Sequence, residues 1–232
     1  LNMDEAKKIF QVASEKKLMV MEAMWTKYLP HMDLARKLVN DGAIGEVVLG
    51  NATFCQNNSH VDRLWRFGAG SQLIDMGIYP VTFLHQFLGQ PKNIQASAII
   101  KEGVNGLPAV DAEVQGLFSY DKNRQSHFVV SARTSMPTIA AISGAKGAIS
   151  IGDPFFAPAT LTLHGNGLGD VGKVWEGDKS IRFHNGLVYQ VDAFATYVEQ
   201  GLTRSPIHGE QDTLENLETI MKIAQIIGVV FQ

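Results

Sequence analysis

An aspartate and a tyrosine stand four positions apart within the stretch that runs from Gly68 to Pro80. Apolar residues recur at helical spacing through and beyond this stretch, which predicts that a glycine-containing loop leads into a helix. On such a helix Asp75 and Tyr79 share one face, so a carboxylate and a phenol are presented together. The phenol is suited to act as a general acid in carbonyl reduction. As a base it needs a cation nearby, because its ordinary pKa is about 10.

Pro80 interrupts the helical pattern directly after the tyrosine, and two local structures fit it. A helix that begins near residue 72 would be kinked at Pro80, because proline lacks the N–H that donates to Met76. Alternatively the helix begins at Pro80, where proline is favoured, and Tyr79 lies at the helix start. Both structures place Tyr79 at an irregularity. The competing interpretation is a core tyrosine, with Asp75 as a capping or solvated carboxylate.

The composition is that of a globular protein large enough to bury a sizeable core. The chain has 232 residues, 45% hydrophobic and 19% charged, with a net charge of −3. It has no basic patch, which argues against a nucleic-acid partner. No apolar run approaches the roughly 18 residues of a membrane span, and no signal-peptide pattern is present. The single Cys55 cannot form an internal disulfide, so a reducing, cytoplasmic location is expected.

The first 25 residues are predicted to belong to a different domain from the rest. Asn2 and Glu5 form a capping-box pattern at the start of an amphipathic helix. Leu18–Met24 is an almost wholly apolar run, typical of a strand buried on both faces of a parallel sheet. One helix and one strand cannot form such a sheet alone. We therefore expect the remainder of that domain upstream, and a second domain over residues 26–232.

Beyond residue 25 the sequence predicts an α+β domain. Helices are predicted at Pro30–Asn40, after Gly70, at Leu187–Gln200 and at Asp212–Val230. Strands are predicted at Glu46–Gln56, Ile94–Lys101, Ala112–Tyr120, Gln125–Thr134, Thr138–Ser143, Ala148–Ile151 and Ala159–Leu163, and around Trp175 and Ile181–Phe183. The short links between them favour antiparallel neighbours. The fold class is thus an open, mostly antiparallel sheet with helices on one face.

Gly167–Gly172 spells the G-x-G-x-x-G pattern of dinucleotide-binding loops, but its context does not fit that function. No amphipathic helix follows that could place its N-terminus at a pyrophosphate, so we predict a glycine-rich hairpin loop. The seven histidines and one cysteine show no metal-ligand spacing, and no metal site is predicted. There is no G-x-S-x-G elbow that would indicate a serine hydrolase.

Four stretches of the sequence resemble the glucose-fructose oxidoreductase and inositol dehydrogenase family (Gfo/Idh/MocA), and within it the dimeric dihydrodiol dehydrogenases. The resemblance keeps the family's order along essentially the whole chain and rests on Leu18–Pro30, Gly70–Tyr79, Gly152–Pro158 and Gly201–Pro206. It implies an N-terminal Rossmann domain that binds NAD or NADP, of which residues 1–25 are the tail. It also implies that residues 26–232 form a substrate-binding and dimerisation domain. The family's Glu-Lys-Pro segment, whose lysine assists catalysis, would lie a few residues before Leu1.

The resemblance also implies roles for the first two residues singled out above. Tyr79 matches the family's catalytic tyrosine, and Asp75 matches a carboxylate of the same motif. The implied reaction passes hydride between a nicotinamide cofactor and a carbinol or carbonyl carbon of a cyclic sugar, polyol or dihydrodiol. Tyr79 would exchange the hydroxyl proton, and the lysine's positive charge would lower the pKa of the phenol.

Four aromatic residues and one arginine are candidates for substrate contact, and each has a structural alternative. Trp25 is predicted to form an aromatic wall for a cyclic substrate, or else to pack at the domain interface. Phe155 and Phe156 are similar candidates, with packing inside their loop as the alternative. Trp65 and Arg66 are predicted to approach substrate or cofactor phosphate, or else to belong to a surface loop.

Three functions from different classes remain open for this sequence. The preferred one is the C-terminal part of an NAD(P)-dependent oxidoreductase, and the isolated chain is then expected to be inactive. The second is a non-catalytic binding or oligomerisation module derived from that family. The third is a scaffold protein without redox chemistry. A homodimer through the open face of the sheet is expected from the family alone.

Overall fold

The computed structural model describes residues 2–66, 71–102, 108–157, 159–167, 170, 172–178, 180–181 and 183–230. Gly68 and Gly70, which open the stretch before Tyr79, lie outside these ranges. The helices are α1 (Met3–Lys16), α2 (Pro30–Asn40), α3 (Gln72–Asp75), α4 (Ile78–Leu88), α5 (Val188–Glu199) and α6 (Glu210–Ile227). The strands are β1 (Val47–Cys55), β2 (Asn93–Lys101), β3 (Val110–Ser119), β4 (Gln125–Ser131), β5 (Ala140–Gly144), β6 (Gly147–Ile151), β7 (Leu161–His164) and β8 (Lys173–Trp175). Short 3-10 helices cover Trp25–Tyr28, Asp62–Trp65, Asp121–Asn123 and Phe183–Leu187.

An eight-stranded sheet organises the described part of the chain. Its strand order is β2-β3-β4-β1-β5-β6-β7-β8. Strands β1 and β4 run parallel, and all other neighbouring pairs are antiparallel. Helices α3 and α4 pack against inner strands of this sheet, and α6 packs against the edge strand β2. The arrangement confirms the predicted α+β fold with its open, mostly antiparallel sheet.

Local signals account for the ends of the first two helices. The Asn2 side chain accepts a hydrogen bond from the backbone N–H of Glu5 at 2.9 Å and so caps α1. Helix α2 begins at Pro30, because proline is favoured at the first helical position. Both helices were predicted, since a cap and a starting proline are readable within one turn of sequence.

The strand predicted at Leu18–Met24 stays a prediction, because its partner strands are expected in the upstream part of the other domain. Val20 makes one parallel bridge with Arg204, and within the described ranges the segment has no longer strand pairing. Leu18 is 58% exposed. An apolar run becomes a buried strand only where strands flank it on both sides, and the described chain supplies a single contact.

Two further predictions concern the segments around the last strand. The predicted hairpin loop at Gly167–Gly172 includes Leu168, Gly169 and Val171, which lie outside the described residues, and the flanking strands β7 and β8 pair antiparallel. The predicted strand at Ile181–Phe183 is wrong. Phe183 begins a 3-10 helix, and Ile181 donates its backbone N–H to Asp178 in a turn. Such a short apolar run does not distinguish a strand from a turn that buries a side chain.

The stretch around Tyr79 folds as two helices, which differs from both predicted alternatives. Helices α3 and α4 are separated at Gly77, where a Cβ would lie 2.5 Å from the carbonyl oxygen of Leu73. Pro80 is the third residue of α4, and there its missing N–H has no intrahelical acceptor to lose. Tyr79 therefore lies in the first turn of α4, at a helix irregularity as predicted, while Asp75 ends α3.

A close contact with β1 holds α4 in place. A Cβ at Gly50 would lie 2.9 Å from the side chains of Leu84 and Leu88 on α4, so glycine is needed for the helix to lie directly on the strand. Side chains of α4 and of the strands form a closely packed core between them. Those at most 1% exposed include Phe83, Leu84, Phe118, Phe128 and Ile142. This packing holds the first turn of α4 in a fixed position relative to the sheet.

Arg204 ties the first helix to the last one. Its guanidinium donates a hydrogen bond of 2.7 Å to the backbone carbonyl of Phe10 on α1, and it lies over the Phe10 ring at 5.2 Å. The same side chain pairs with Glu210, the first residue of α6, at 3.2 Å. The N-terminal segment is therefore attached to the end of the chain. Within the described ranges, no helix has the length and apolar composition that a membrane crossing demands.

Candidate active site

The indole of Trp25 is hydrogen bonded to the phenol of Tyr79. Trp25 Nε1 donates to Tyr79 Oη at 3.2 Å across 54 positions of sequence. The 3-10 helix Trp25–Tyr28 supplies the donor, and the first turn of α4 supplies the acceptor. Trp25 is 4% exposed, so this N–H needs a protein acceptor. Because the phenol oxygen accepts this bond, the phenol's own hydrogen remains available to another acceptor.

Aromatic rings fix the direction of the tyrosine. The Phe156 ring centroid lies 5.0 Å from that of Tyr79, and the Phe54 ring stacks on Phe156 at 4.4 Å. Trp25 meets the edge of Phe156 at 6.1 Å. Edge and offset contacts of this kind restrict ring rotation as well as burying apolar area. The structure thus brings together three of the predicted site residues: Trp25, Tyr79 and Phe156.

A cavity of about 590 Å³ opens beside Tyr79. Its described walls come from α1, the segment Val20–Met24, α3, the first turn of α4 and α6, and most of the lining is apolar. The polar side chains on these walls are Tyr79, Asp75, Glu22 and Thr213, and no lysine or arginine is among the described lining residues. A cavity of this size with a few polar groups is typical of a small-molecule site.

The surroundings of Tyr79 favour the protonated phenol. Burial raises the pKa of the phenol, and the nearby negative charge of Asp75 raises it further. The hydrogen bond from Trp25 lowers this pKa, because an N–H donor stabilises the phenolate. The balance is a raised pKa, so the phenol carries its proton at neutral pH and is a proton donor.

Asp75 lies on the same cavity but on a different helix from Tyr79. Its carboxylate accepts a 2.7 Å bond from the guanidinium of Arg63, which lies in the 3-10 helix Asp62–Trp65. The pairing raises the pKa of Arg63 and compensates the charge of Asp75. The expected joint presentation of carboxylate and phenol is therefore achieved across the helix break rather than along one helix.

A buried carboxylate anchors α3, and the sequence interpretation missed it. Asp111 on β3 is 0% exposed and accepts a 2.7 Å bond from the backbone N–H of Leu73. Burial raises the pKa of Asp111, although hydrogen bonds from Ser71 and Leu73 oppose this shift. Ser71 Oγ in turn accepts from the N–H of Ile74. The signal in the sequence is a charged residue inside an apolar strand pattern, which needs buried partners.

A second missed contact involves Glu22, another lining residue of the cavity. Glu22 Oε2 lies 2.7 Å from His208 Nε2, across 186 positions of sequence. The signal for Glu22 is again a lone charge in an apolar run, that of Leu18–Met24. Nothing near His208 in the sequence points to this partner.

Trp25 and Phe156 contact Tyr79 but, like the remaining predicted substrate-contact residues, are not among the described lining residues of the cavity. Phe155 is 0% exposed and packs on the Phe83 ring in the core, so its role as a substrate contact is corrected to packing. The indole N–H of Trp65 donates to the Asn58 carbonyl at 2.9 Å, and an exposed Arg66 pairs within its own loop. Neither Trp65 nor Arg66 is among the described lining residues. Side chains are also not grouped for metal binding, since no set of three or more possible ligands occurs in the part of the chain described.

Curated proteins similar to this chain are dihydrodiol dehydrogenases. Trans-1,2-dihydrobenzene-1,2-diol dehydrogenase of Mus musculus is 28% identical over 234 residues, which covers all of this chain and 68% of that protein. The Homo sapiens protein of the same name is 26% identical over 238 residues, covering all of this chain and 69% of that protein.

Solved structures of oxidoreductases share the fold. Levoglucosan dehydrogenase, in complex with NADH and levoglucosan, matches 97% of this chain and 68% of its own, with a TM-score of 0.79 at 17% identity. KijD10, a 3-ketoreductase from Actinomadura kijaniata in complex with NADP and TDP-benzene, matches 100% of this chain and 69% of its own, with a TM-score of 0.78 at 17% identity.

A family model described as the GFO/IDH/MocA C-terminal domain matches residues 32–150. The matched residues include the helix break, Tyr79 and the strands β1 to β5. Because this match spans more than half of the 232 residues, the chain belongs to the GFO/IDH/MocA family, as the four resembling stretches predicted.

Proposed function

We propose that this chain is the substrate-binding part of an NAD(P)-dependent oxidoreductase. The enzyme would interconvert a carbinol and a carbonyl on a cyclic substrate such as a sugar, a polyol or a dihydrodiol. The observation that carries the proposal is the Tyr79 phenol, held by the indole N–H of Trp25 at the wall of a cavity. Membership of the family and the names of the relatives, which are dehydrogenases, support it.

Tyr79 is the proposed proton donor and acceptor. In the direction of reduction, its phenol gives a proton to the substrate oxygen, and the phenolate that forms keeps the hydrogen bond from Trp25. In the direction of oxidation, the same oxygen takes the proton of the substrate hydroxyl. The raised pKa suits the first direction, and the second needs a cation close to the phenol. The lysine of the expected Glu-Lys-Pro segment upstream would supply that charge.

Asp75 is proposed to act on the proton of Tyr79 rather than to react itself. Its negative charge raises the pKa of the phenol and so opposes the cation that oxidation requires. Arg63 holds the carboxylate at 2.7 Å, which fixes the position of this charge. Asp75 and Arg63 therefore influence the pKa of Tyr79 without contacting its ring.

The cavity fits the nicotinamide end of NAD or NADP better than its phosphates. Its walls are largely apolar, with Met24, Ile74 and Ile78 beside Tyr79, and no described lining residue is basic. When bound, the cofactor supplies or accepts the hydride. The G-x-G-x-x-G stretch connects the antiparallel strands β7 and β8 and does not join a strand to a helix, so a pyrophosphate site is expected from the dinucleotide-binding domain of which we propose residues 1–25 to be the tail.

A homodimer through the outer face of the sheet is part of the proposal. Large apolar side chains are exposed on strands of this sheet, among them Leu49 on β1, Ile99 on β2 and Leu117 on β3. Their neighbours facing the same way include uncharged side chains such as Ser97 and Gln115. A face with several exposed apolar side chains is suited to pack against a second copy.

Replacing Tyr79 in the full-length protein tests the proposed function. Tyr79→Phe removes the hydroxyl and keeps the ring, and we expect turnover of cyclic diols or ketones to fall about 10²- to 10⁴-fold. Absorbance of the reduced nicotinamide measures this rate. Tyr189→Phe is the matched control, because Tyr189 is a partly buried tyrosine that is not among the described lining residues. Turnover within a few fold of wild type in Tyr79→Phe would refute the role of the phenol.

The cofactor part of the proposal has its own measurement. The chain of 232 residues alone is expected to bind NADPH weakly or not at all, because its described residues offer no pyrophosphate site. Titration with NADPH, followed by the fluorescence of Trp25 and Trp65, measures this affinity. Micromolar binding by the isolated chain contradicts the assignment of the phosphate site to another domain.

A further inference from the structure

Glu22 is a carboxylate on the cavity wall whose position is set by a buried histidine. His208 Nε2 lies 2.7 Å from Glu22 Oε2, and the His208 side chain is 0% exposed while that of Glu22 is 32% exposed. His208 is itself held in place, because its backbone N–H donates to Ser205 Oγ at 3.0 Å. The carboxylate is therefore oriented from behind and still reaches the cavity.

The hydrogen-bond partners of His208 show which ring nitrogen serves Glu22. His208 Nδ1 is buried and has no hydrogen-bond partner among the described residues. Nε2 faces the Glu22 carboxylate, which can only accept, and lies 3.5 Å from Thr213 Oγ1. The hydrogen therefore belongs on Nε2, which donates it to Glu22.

The other charges near the cavity are already paired. Asp75 is bonded to Arg63 at 2.7 Å, and the buried Lys27 is bonded to Asp212 at 3.0 Å. Glu22 has no ion-pair partner other than His208 within the described part of the chain. A carboxylate in a mostly apolar wall is stabilised by a ligand that donates hydrogen bonds and is destabilised by a ligand that carries negative charge.

We propose that Glu22 is a specificity-determining residue that accepts hydrogen bonds from the hydroxyl groups of a neutral substrate, and that His208 positions it. The inference rests on the proposed function, since it takes the cavity to hold the reacting part of the substrate together with the nicotinamide ring. It narrows the substrate class to uncharged cyclic diols and polyols. Substrates that carry a carboxylate or phosphate next to the reacting carbon are excluded by the charge of Glu22.

The test compares a neutral diol with an anion of the same shape. The probes are trans-cyclohexanediol and hydroxycyclohexanecarboxylate, and calorimetry on the full-length protein gives both affinities. Glu22→Gln keeps the size of the side chain and removes its charge. We expect the variant to bind the diol about 10- to 100-fold more weakly, the value of a hydrogen bond to a charged acceptor, and to lose its discrimination against the anion. Glu46→Gln is the control, since Glu46 is an exposed surface residue.

His208 is tested by two substitutions that differ in one property. His208→Gln keeps an N–H donor for Glu22 and is expected to stay within a few fold of wild-type affinity for the diol. His208→Leu removes the donor and is expected to weaken diol binding nearly as much as Glu22→Gln. Where turnover is measurable, both losses appear in KM with kcat little changed, which a general loss of folding would not produce.

Two outcomes overturn the inference. Glu22→Gln could bind both probes as wild type does, or it could lose affinity for both equally, and either result removes the selective role of Glu22. Failure of the proposed function is distinct, because it appears as a wild-type protein without oxidoreductase turnover. In that case the calorimetric comparison of diol and anion still decides the role of Glu22.

Discussion

Replacing Trp25 with phenylalanine isolates one hydrogen bond at the proposed proton donor. The change removes the Nε1–H that lies 3.2 Å from Tyr79 Oη and keeps a ring against Phe156. A hydrogen bond to an ionised group is worth about 1.5–3 kcal/mol, against about 0.5–1.5 kcal/mol for a neutral pair. The difference, about 1–1.5 kcal/mol, acts on the phenolate only. It corresponds to a rise of about one unit in the pKa of Tyr79.

The sign of this shift sets the expected pH dependence. The Trp25 N–H lowers the pKa of Tyr79, so its removal raises that pKa. In oxidation Tyr79 must be the base, and we expect the rising limb of kcat for Trp25→Phe to move about one unit toward alkaline pH. On that limb the rate falls about tenfold at a given pH, and the two proteins converge above it. In reduction, where the phenol is the acid, the neutral-pH rate falls less.

The measurement is a pH–rate profile of the full-length protein in both directions, with Trp175→Phe as control. Trp175 lies on β8 and is not among the described lining residues of the cavity. A uniform loss of rate at every pH, with no displacement of the profile, would refute the hydrogen-bond argument. A change confined to KM would instead assign Trp25 to the aromatic wall for the substrate.

Three further predictions concern stability and assembly. Burial lowers the pKa of His31 from 6.5 to about 4, so the folded protein should lose stability as pH falls through this window, by up to about 1.4 kcal/mol per pH unit. His31→Gln should flatten that slope in urea denaturation. Burial raises the pKa of Asp111 above 3.8, so wild type should lose stability relative to Asp111→Asn as pH rises from this value toward the raised one. The reverse trend would show that Asp111 is stabilised as a carboxylate. Leu117→Arg on the outer sheet face should yield a monomer in light scattering, while Leu202→Arg, at an exposed position outside the strands, should not.

Those parts of the fold that depend on neighbouring residues were readable from the sequence. The cap at Asn2 and the proline at the start of α2 act within one turn, and both helices begin where these residues predict. The strands of the sheet were readable too, because alternating burial repeats every two residues. Leu18–Met24 is a different case, since a strand forms only through partner strands, and in the described residues this segment makes one bridge, between Val20 and Arg204.

The site was predictable only in part, for a physical reason. Tyr79 stands out because glycine and proline flank it, and these residues mark a break wherever they occur. The break itself occurs at Gly77, because the Leu73 carbonyl leaves no room for a side chain, and that contact exists only in the folded chain. The bond to Trp25 and the pair of Glu22 with its histidine join residues too far apart for any local pattern.

The attachment of α1 to α6 through Arg204 has a consequence for the cavity beside Tyr79. Helices from both ends of the polypeptide form its walls, and one guanidinium sets the spacing between them. The width of the cavity is therefore not a property of the sheet and α4 alone. A change that displaces α1, including one in a domain attached to it, would therefore also displace α6. Such a change would alter ligand binding without replacing any residue that contacts the ligand.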